Sequence, residues 1–432
     1  MGVSLVPGRV PLLGHAPALR RDPLRFMRSL RERGDVVRIA IGPRRVYVVN
    51  SPELIRRVLV ADGRKFDKGA LFDQARAHLG NGLVTSSGEF HHRQRRIAQP
   101  AFHSDRIAGY AELMIERARA RTGAWREGAE LELTGEIGRL SLDVLLRCLF
   151  AEQPADEVRA VLLRSLSTKQ GSMRRALSPL AAWLGLLSRR QDVPERTGMP
   201  ELHAVLARLV ADRRAADDQD DLLSVLLAAP MTDEQLCDEL VTLFVAGTET
   251  VSAALSWTFH ELARHPEIER RLHAEVDEVV GDRPVQSADI GELHYTRRVC
   301  QEVLRRYAVW LLMRRAVARV ELAGTTLDEG TEVFFSPNAV HHDPALYPDP
   351  DVFDPDRWLP ERSAGLSRGA YLPFGAGNRL CMGEGFAWTE MAVVLATVAQ
   401  RWRLVPVPDH EVRTRIGTLV EPDGLPMIPV AR

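Results

Sequence analysis

An uninterrupted helical pattern between residues 232 and 266 constrains the fold more than any other stretch of this chain. Thr232 and Gln235 have the spacing of a capping box, which marks the first turn of a helix. The pattern continues to His265 and Pro266, where proline ends it. At about 1.5 Å per residue, such a helix is roughly 50 Å long and can cross a whole domain. The rest of the chain must therefore pack around it.

Helical periodicity fills most of the middle of the chain, and β-like runs lie near both ends. We predict a helical core at about 51–308 and 383–402, and β-rich parts at about 34–50, 309–340 and 403–432. Gly42-Pro43 predicts a hairpin turn, whereas residues 65–88 have the glycine content of an irregular loop, and 190–200 is another break. Because the β segments must pair across the helices, residues 1–432 are interpreted as a single, mainly α domain with a small β-rich lobe.

Composition excludes several classes of protein. The 432 residues carry a net charge of −1, so neither nucleic acid nor an anionic membrane is an expected partner. We expect no apolar stretch long enough to span a bilayer, no signal sequence and no membrane anchor, which predicts a soluble, cytoplasmic protein. The four cysteines (Cys148, Cys237, Cys300, Cys381) are too widely spaced for a disulfide framework, which fits a reducing compartment.

Cys381 lies in a glycine-rich run, FGAGNRLCMG, that extends from Phe374 to Gly383. Glycine allows unusual backbone conformations and a close approach to a cofactor. Backbone N–H groups in such a loop can keep sulfur anionic, and Arg379 offers a permanent cation to a carboxylate. The run therefore predicts a thiolate held against a flat, anionic, metal-bearing ring. The alternative is a buried structural cysteine in a turn.

The middle of the long helix contains the run Ala246-Gly247-Thr248-Glu249-Thr250. A glycine, an acid and two threonines lower helix propensity and place polar groups in a stretch that should be buried. A threonine and an acid can relay protons to dioxygen, and the glycine lets the helix open to O₂ and water. The alternative is a kinked structural segment with solvated side chains.

Three charged patterns have an ordinary interpretation when each is taken alone. Glu302 and Arg305 have the spacing of an exposed helical ion pair. The run HHRQRR at 91–96 is a cationic helix face or a nucleic-acid patch, and the net charge argues against nucleic acid. The run DDQDD at 217–221 has the DDxxD spacing that binds magnesium diphosphate in terpene cyclases, but we interpret it as a solvated turn that caps a helix.

Taken together, these motifs resemble the cytochrome P450 family. The run at 374–383 fits its haem-binding loop, F-x-x-G-x-R-x-C-x-G, and the run at 246–250 is similar to its oxygen-activation motif, A-G-x-D/E-T. The proline-rich lead-in, Glu302-x-x-Arg305 and FDPDRW at 353–358 follow in family order over nearly the whole chain. The resemblance implies the cytochrome P450 fold, with haem between the long central helix and the helix that follows the cysteine loop.

The resemblance also implies roles for individual residues. Cys381 would be the iron ligand of haem b, and Glu249 and Thr250 would supply protons while O₂ is the co-substrate. Further haem contacts would come from Ala246, Gly247, Phe374, Gly375 and Gly383. The haem propionates would be bound by Arg314, Arg379 and the pair His91 and Arg95, although His92 and Arg96 have the same spacing. A buried structural triad that holds the cysteine loop would consist of Glu302, Arg305 and Arg357.

The substrate pocket implied by the resemblance is mostly apolar, which predicts a compact hydrophobic substrate. Its expected lining residues are Phe72, Leu243, Phe244, Val309, Leu312, Thr418 and Leu419. The lead-in and residues 309–317 are similar to bacterial members that oxidise sesquiterpene hydrocarbons in natural-product pathways. One departure is the run Tyr307-Ala308-Val309-Trp310, which lacks the prolines usual there and predicts a looser turn beside the pocket.

The expected function is that of a bacterial, monomeric haem-thiolate monooxygenase. Because the sequence contains no flavin or nicotinamide module, electrons should come from external NAD(P)H through a ferredoxin and its reductase, and exposed arginines such as Arg93 and Arg96 could face that acidic donor. One alternative is a thiolate-haem peroxygenase or coupling enzyme, against which the Glu249-Thr250 pair argues. Another alternative is a haem sensor or electron carrier. A sensor would need an output module, and none is visible in the sequence.

Overall fold

The computed structural model describes residues 3, 5–150, 159–164, 200–215 and 221–432. The predicted break at 190–200 and the acidic turn at 217–221 lie outside the described residues, apart from Pro200 and Asp221. Of these, Asp221 accepts a hydrogen bond from the Ser224 backbone N–H at 2.8 Å and so caps the helix that follows. Its carboxylate also pairs with Arg213 at 2.8 Å.

The described part of the chain is mainly helical, as predicted. Its helices are α1 Ala16–Arg21, α2 Pro23–Leu30, α3 Pro52–Arg56, α4 Ala70–Leu79, α5 Gly88–Ala98, α6 Ser104–Gly123, α7 Leu133–Leu149, α8 Pro200–Ala215, α9 Leu222–Leu227, α10 Asp233–Arg264, α11 Pro266–Val279, α12 His294–Arg306, α13 Pro337–His341, α14 Pro360–Ser363 and α15 Glu384–Ala399. Short 3₁₀ turns lie at Arg31–Arg33, Gly63–Lys65, Gln99–Phe102, Ser287–Gly291, Pro355–Trp358 and Gly377–Arg379, and a π-helical turn at Arg57–Ala61.

Among the described residues the strands form four small sheets, and the two larger ones join segments that are far apart in sequence. They are β1 Val36–Ile41, β2 Arg44–Val49, β3 Phe66–Asp67, β4 Leu131–Glu132, β5 Leu312–Ala316, β6 Val320–Leu322, β7 Thr325–Leu327, β8 Glu332–Phe335, β9 Trp402–Pro406, β10 Thr414–Ile416, β11 Val420–Pro422 and β12 Pro426–Ala431. A five-stranded sheet has the order β1-β2-β8-β5-β3, in which only β2 and β8 are parallel. A three-stranded sheet has the order β4-β12-β9, and β6-β7 and β10-β11 are two-stranded.

Helix α10 is the central element of the fold. Its capping box at Thr232 and Gln235 is present, and the helix ends one residue before the predicted stop, with His265 as C-cap. It packs against α7, α8, α12 and α15, and the largest apolar cluster surrounds it. The expectation that no stretch is long and apolar enough to span a membrane is wrong for this helix by length and composition alone. However, 61% of its most apolar window is buried inside the protein. Its apolar character is that of a core helix.

Two other predictions of local structure are corrected. Residues 65–88, expected to be an irregular loop, contain strand β3 and the ten-residue helix α4. The helical pattern of α4 is hidden by the glycines that flank it, since Gly69 is its N-cap and Gly80 its C-cap. Strand β4 lies inside the predicted helical core, where two residues suffice to pair with β12 from the other end of the chain.

Candidate functional site

The loop before α15 presents Cys381 at a fixed position. The Cys381 backbone N–H donates to the Phe374 carbonyl at 2.9 Å and closes the loop. Gly377 has a φ of 71°, and a Cβ there would lie 1.9 Å from the Leu59 carbonyl oxygen, so the turn requires glycine. The Phe374 ring meets Trp388 of α15 edge to face at 5.6 Å, which anchors the start of the loop on the helix that follows it.

The Cys381 thiol faces an internal recess. The residue is solvent-accessible, whereas burial raises the pKa of its thiol. A group that is both accessible and desolvated lies in a recess surrounded by protein. The Glu384 charge also raises the thiol pKa, whereas the backbone N–H of Gly383 and the charges of Arg95 and Lys68 lower it. The surroundings therefore contain the donors and cations that stabilise a thiolate.

The two candidate pairs on α5 are distinguished by their orientation. His91 is buried and its Nδ1 donates to the Leu83 carbonyl at 3.1 Å. Arg95 donates from Nη1 to the Leu380 carbonyl at 2.7 Å, directly beside the cysteine. Arg96, by contrast, is exposed. The geometry thus favours the pair His91 and Arg95 over His92 and Arg96.

Three further cations converge beside this loop, and Asp67 is the one carboxylate found between them in the part of the chain that the structure describes. Arg379 donates to the Ser86 carbonyl at 2.9 Å and forms an ion pair with Asp67. Arg314, on β5, is buried, and burial together with Arg379 lowers its pKa to about 10. Burial, Arg314 and Arg379 hold the pKa of Lys68 well below its usual range. Three positive side chains this close together need more negative charge near them than the carboxylate of Asp67 alone supplies.

Lys68 and Asp67 were missed by the sequence analysis. Both lie in the stretch that was interpreted as an irregular loop, and no family motif covers them. The composition contained one signal that could have marked Lys68 as a candidate, because it is one of only three lysines in the chain. Its ammonium also lies 4.1 Å from the centre of the Phe72 ring, a cation–π contact that links the cluster to a predicted pocket residue.

The residues of this recess fit haem. Nε2 of buried His91 has no hydrogen-bond partner within the described residues, although buried polar atoms are normally paired. A group that carries two carboxylates and a metal would satisfy the His91 nitrogen, the clustered cations and the thiol together. Cys381 would hold the metal, and the carboxylates would meet the cations at positions 68, 95, 314 and 379 and the neutral imidazole of His91.

The middle of α10 has one accessible face. Ala246 and Thr250, one turn apart, are exposed, while Gly247, Glu249 and Leu243 are partly buried. The Thr250 hydroxyl donates to the Ala246 carbonyl at 2.7 Å. Exposure in the middle of a core helix indicates that this face borders a recess within the fold.

The prediction that Phe244 lines the pocket is corrected by the structure. The residue has no exposed surface and packs in the helical core. Successive residues of a helix differ by about 100° in direction, so Phe244 points away from the face that carries Ala246. Leu243, its partly buried neighbour, is the member of that pair that borders the accessible face.

Glu302, Arg305 and Arg357 meet in the interior. The Arg305 guanidinium donates to both carboxylate oxygens of Glu302, at 2.8 and 2.9 Å, and Arg357 donates to Glu302 at 3.4 Å. Trp358 Nε1 donates to the same carboxylate at 3.0 Å. Because the Glu302 and Arg305 side chains have no exposed surface, their ordinary interpretation as an exposed ion pair is excluded.

A histidine that the sequence analysis did not identify connects this triad to the cysteine loop. Arg305 donates to the His341 carbonyl at 2.7 Å, and the His341 Nδ1 donates back to the Arg305 carbonyl at 3.2 Å. His341 Nε2 then accepts the Leu372 backbone N–H at 2.9 Å, two residues before Phe374. Burial lowers the pKa of His341 to about 3, so the ring is neutral and Nε2 can accept. The triad thus supports the loop through one imidazole.

The structure brings the remaining predicted pocket residues together in part. Trp310 Nε1 donates to the Gly417 carbonyl at 2.8 Å, which joins the segment of Val309 to the tip of the β10–β11 hairpin. Thr418, at that tip, is exposed, and Leu419, Val309 and Leu312 are partly buried.

These features define a mainly helical haem-thiolate protein, and comparison with known proteins gives its family. The family model for cytochrome P450 matches residues 5–429. The chain therefore belongs to the cytochrome P450 family, as its motifs predicted, and it is a monooxygenase of that family, which carries haem and uses O₂.

Individual relatives match over almost their whole length. The chain is 42% identical to a cyclooctat-9-en-7-ol 5-monooxygenase of Streptomyces melanosporofaciens, covering 98% of this chain and 94% of that protein. It is 41% identical to a cyclooctatin synthase of the same organism, covering 99% and 96%. It is 39% identical to a pentalenene oxygenase of Streptomyces avermitilis, covering 99% and 97%. The crystal structure of the cytochrome P450DA heme domain matches with a TM-score of 0.85 at 25% identity, covering 100% of this chain and 99% of that chain.

Proposed function

We propose that this monooxygenase oxidises a cyclic terpene, either a hydrocarbon or a partly oxidised alcohol, in a bacterial biosynthetic pathway. The accessible, desolvated thiol of Cys381 within its group of cations is the observation that carries the haem-thiolate assignment. The substrate class is inferred from relatives at 39–42% identity, which oxidise terpenes. The apolar side chains of Leu243, Val309, Leu312 and Leu419 suit such a compact, uncharged molecule.

Haem, when bound, supplies the oxidative chemistry, in which one oxygen atom of O₂ enters a C–H bond and the other leaves as water. The protein's part is to bind, orient and deliver protons. Cys381 would provide the metal ligand, and the cations near it would neutralise two carboxylates. The Thr250 hydroxyl, now donating to the Ala246 carbonyl, is placed on the accessible face of α10 where it can rotate and donate a proton to oxygen instead. Glu249, the adjacent acid, would resupply that proton.

We further propose that electrons come from NAD(P)H through a ferredoxin and its reductase. Arg93 and Arg96 are exposed on α5, the helix whose other face contacts the cysteine loop, and they would attract an acidic donor. A monomeric, cytoplasmic enzyme completes the proposal.

The substrate class is tested by optical titration of the ferric haem protein with a panel of ligands. We expect cyclic terpene hydrocarbons and their mono-alcohols to displace water and shift the iron from low to high spin. Organic acids and sugars of similar size should cause no shift, because the apolar side chains of Leu243, Val309, Leu312 and Leu419 offer neither a counter-charge nor hydrogen-bond partners. If the polar compounds shift the spectrum while every terpene fails, the substrate class is wrong, although the thiolate assignment is unaffected.

A further inference from the structure

Two tryptophans from different elements hold the tip of the β10–β11 hairpin. Trp310 donates its indole N–H to the Gly417 carbonyl at 2.8 Å, just before the tip. Trp257, near the end of α10, donates its indole N–H to the Val420 carbonyl at 2.9 Å, just after the tip. Thr418 and Leu419 lie between the two acceptors, so both ends of the tip are fixed to other elements. We call these two side chains the indole clamp.

The Trp257 half of the clamp is itself rigid. Its ring is 3% exposed and stacks on Tyr307 with a centroid distance of 4.0 Å and an interplanar angle of 5°. The Tyr307 hydroxyl donates to the Glu261 carboxylate, one turn further along α10. Arg306 pairs with the same carboxylate at 2.9 Å. Helix α10 and the end of α12 therefore lock the indole in one orientation.

The hairpin needs this support. Each of its strands has three residues, and an isolated two-stranded hairpin is marginally stable in water. The segment beside it also lacks the prolines that would stiffen residues 308 and 309. The Trp310–Gly417 hydrogen bond restrains both weak segments at once, so the clamp holds the tip that carries Leu419 to the segment that carries Val309.

We propose that Trp257 and Trp310 are positioning residues that determine which carbon of the substrate is oxidised. Touching no reacting atom, they act by fixing Thr418 and Leu419 against Val309 and Leu312, the apolar surface on which a rigid terpene would rest. This inference rests on the proposed function, because it assumes that these side chains contact substrate. A compact hydrocarbon offers no polar group for orientation, so the placement of an apolar wall decides its position.

The test compares Trp310→Phe and Trp257→Phe with Trp402→Phe in the haem-loaded enzyme. Trp402 is a matched control, because its indole N–H donates to the Thr122 carbonyl at 3.1 Å in a buried position on β9, a separate sheet. We expect amide exchange in residues 414–422 to accelerate about fivefold in the first two variants, as the loss of one net hydrogen bond implies. The ratio of regioisomeric products should shift at least about threefold for the same reason. Trp402→Phe should change neither quantity.

Each result decides a separate point. Unchanged exchange in Trp310→Phe would overturn the clamp, and faster exchange with an unchanged product ratio would overturn its positioning role. If Trp257→Phe fails to fold, Trp310→Phe tests the same tip alone. Exchange needs no substrate, so it tests the clamp even if the wild-type enzyme converts no terpene. A wild-type enzyme that converts no terpene would contradict the proposed function and would leave the exchange test of the clamp unaffected.

Discussion

At the scale of single residues, the hydroxyl and charged groups on the two sides of the recess have the greatest consequence for catalysis. Thr250 is exposed on α10 and donates to the Ala246 carbonyl at 2.7 Å, so its proton is available to oxygen after one rotation. Thr248, only two residues earlier, is buried on another face of the helix, and its hydroxyl has no partner among the described residues. Two threonines of one motif therefore have different surroundings, and only Thr250 has its hydroxyl on the accessible face.

Thr250→Ala should uncouple electron use from product formation. Losing a positioned proton donor should lower product yield per NAD(P)H about tenfold or more, with hydrogen peroxide appearing instead. Product and peroxide are measured against NAD(P)H consumption with a surrogate ferredoxin and reductase. Thr248→Val is the control and should retain coupling, since removing an unpartnered buried hydroxyl costs little. Equal coupling in Thr250→Ala and wild type would remove Thr250 from proton delivery.

At the scale of elements, the connection between α4 and α5 is tied to the first turns of α10. The Asn81 backbone N–H donates to Asp238 at 2.8 Å, and the Leu83 N–H donates to Glu239 at 2.9 Å. The Leu83 carbonyl in turn accepts from His91 at 3.1 Å. Burial raises the pKa of Glu239 to about 7, and the nearby Asp238 acts in the same direction. This tie is therefore sensitive to protonation near neutral pH.

Glu239→Gln should stabilise the protein at high pH. The folded carboxyl binds a proton more tightly than the unfolded one, so the wild-type unfolding free energy falls as pH rises from about 4.5 to about 7. Glutamine still accepts from Leu83 and has no charge to bury. At pH 8 the variant should therefore exceed wild type by up to about 3 kcal/mol, and at pH 5 by only about 1 kcal/mol.

Urea unfolding of the haem-loaded protein at both pH values measures this difference. The exposed Glu234→Gln, on the first turn of the same helix, is the control and should not change the pH dependence. A variant whose advantage over wild type is the same at pH 5 and pH 8 would show that Glu239 does not carry the effect.

Elements differed in how well the sequence predicted them. Helix α10 was predicted almost to the residue, because its cap and its terminal proline are local signals. Helix α4 was not predicted, because the glycines at both its ends conceal its helical pattern. Strand β3 was not predicted either, because it is two residues long and forms only by pairing with β5. Strand β4 exists because β12 lies beside it, and no local pattern encodes that neighbour.

At the scale of the whole molecule, one apolar cluster joins residues from Leu79 to Met427 around α10, and for this reason we infer a single domain. Short motifs with fixed spacing pointed to the cysteine and to the acid–threonine pair, whereas the buried triad was expected only from the family resemblance, because Arg357 is distant in sequence from Glu302 and Arg305. Lys68, His341 and the indole clamp escaped prediction, since their roles come from contacts between distant segments. Phe244 was misassigned because its direction along the helix was not compared with that of Ala246, from which it differs by about 200°.

Thiolate ligation of haem by Cys381 is tested by the spectrum of the reduced, carbon monoxide-bound protein, recorded for wild type and for Cys381→Ala. We predict that wild type gives the long-wavelength Soret band of thiolate-ligated haem, and that Cys381→Ala loses this band and all oxygenase activity. A wild-type band at the position of histidine-ligated haem would contradict thiolate ligation, as would a Cys381→Ala variant that keeps the long-wavelength band and still oxygenates a substrate.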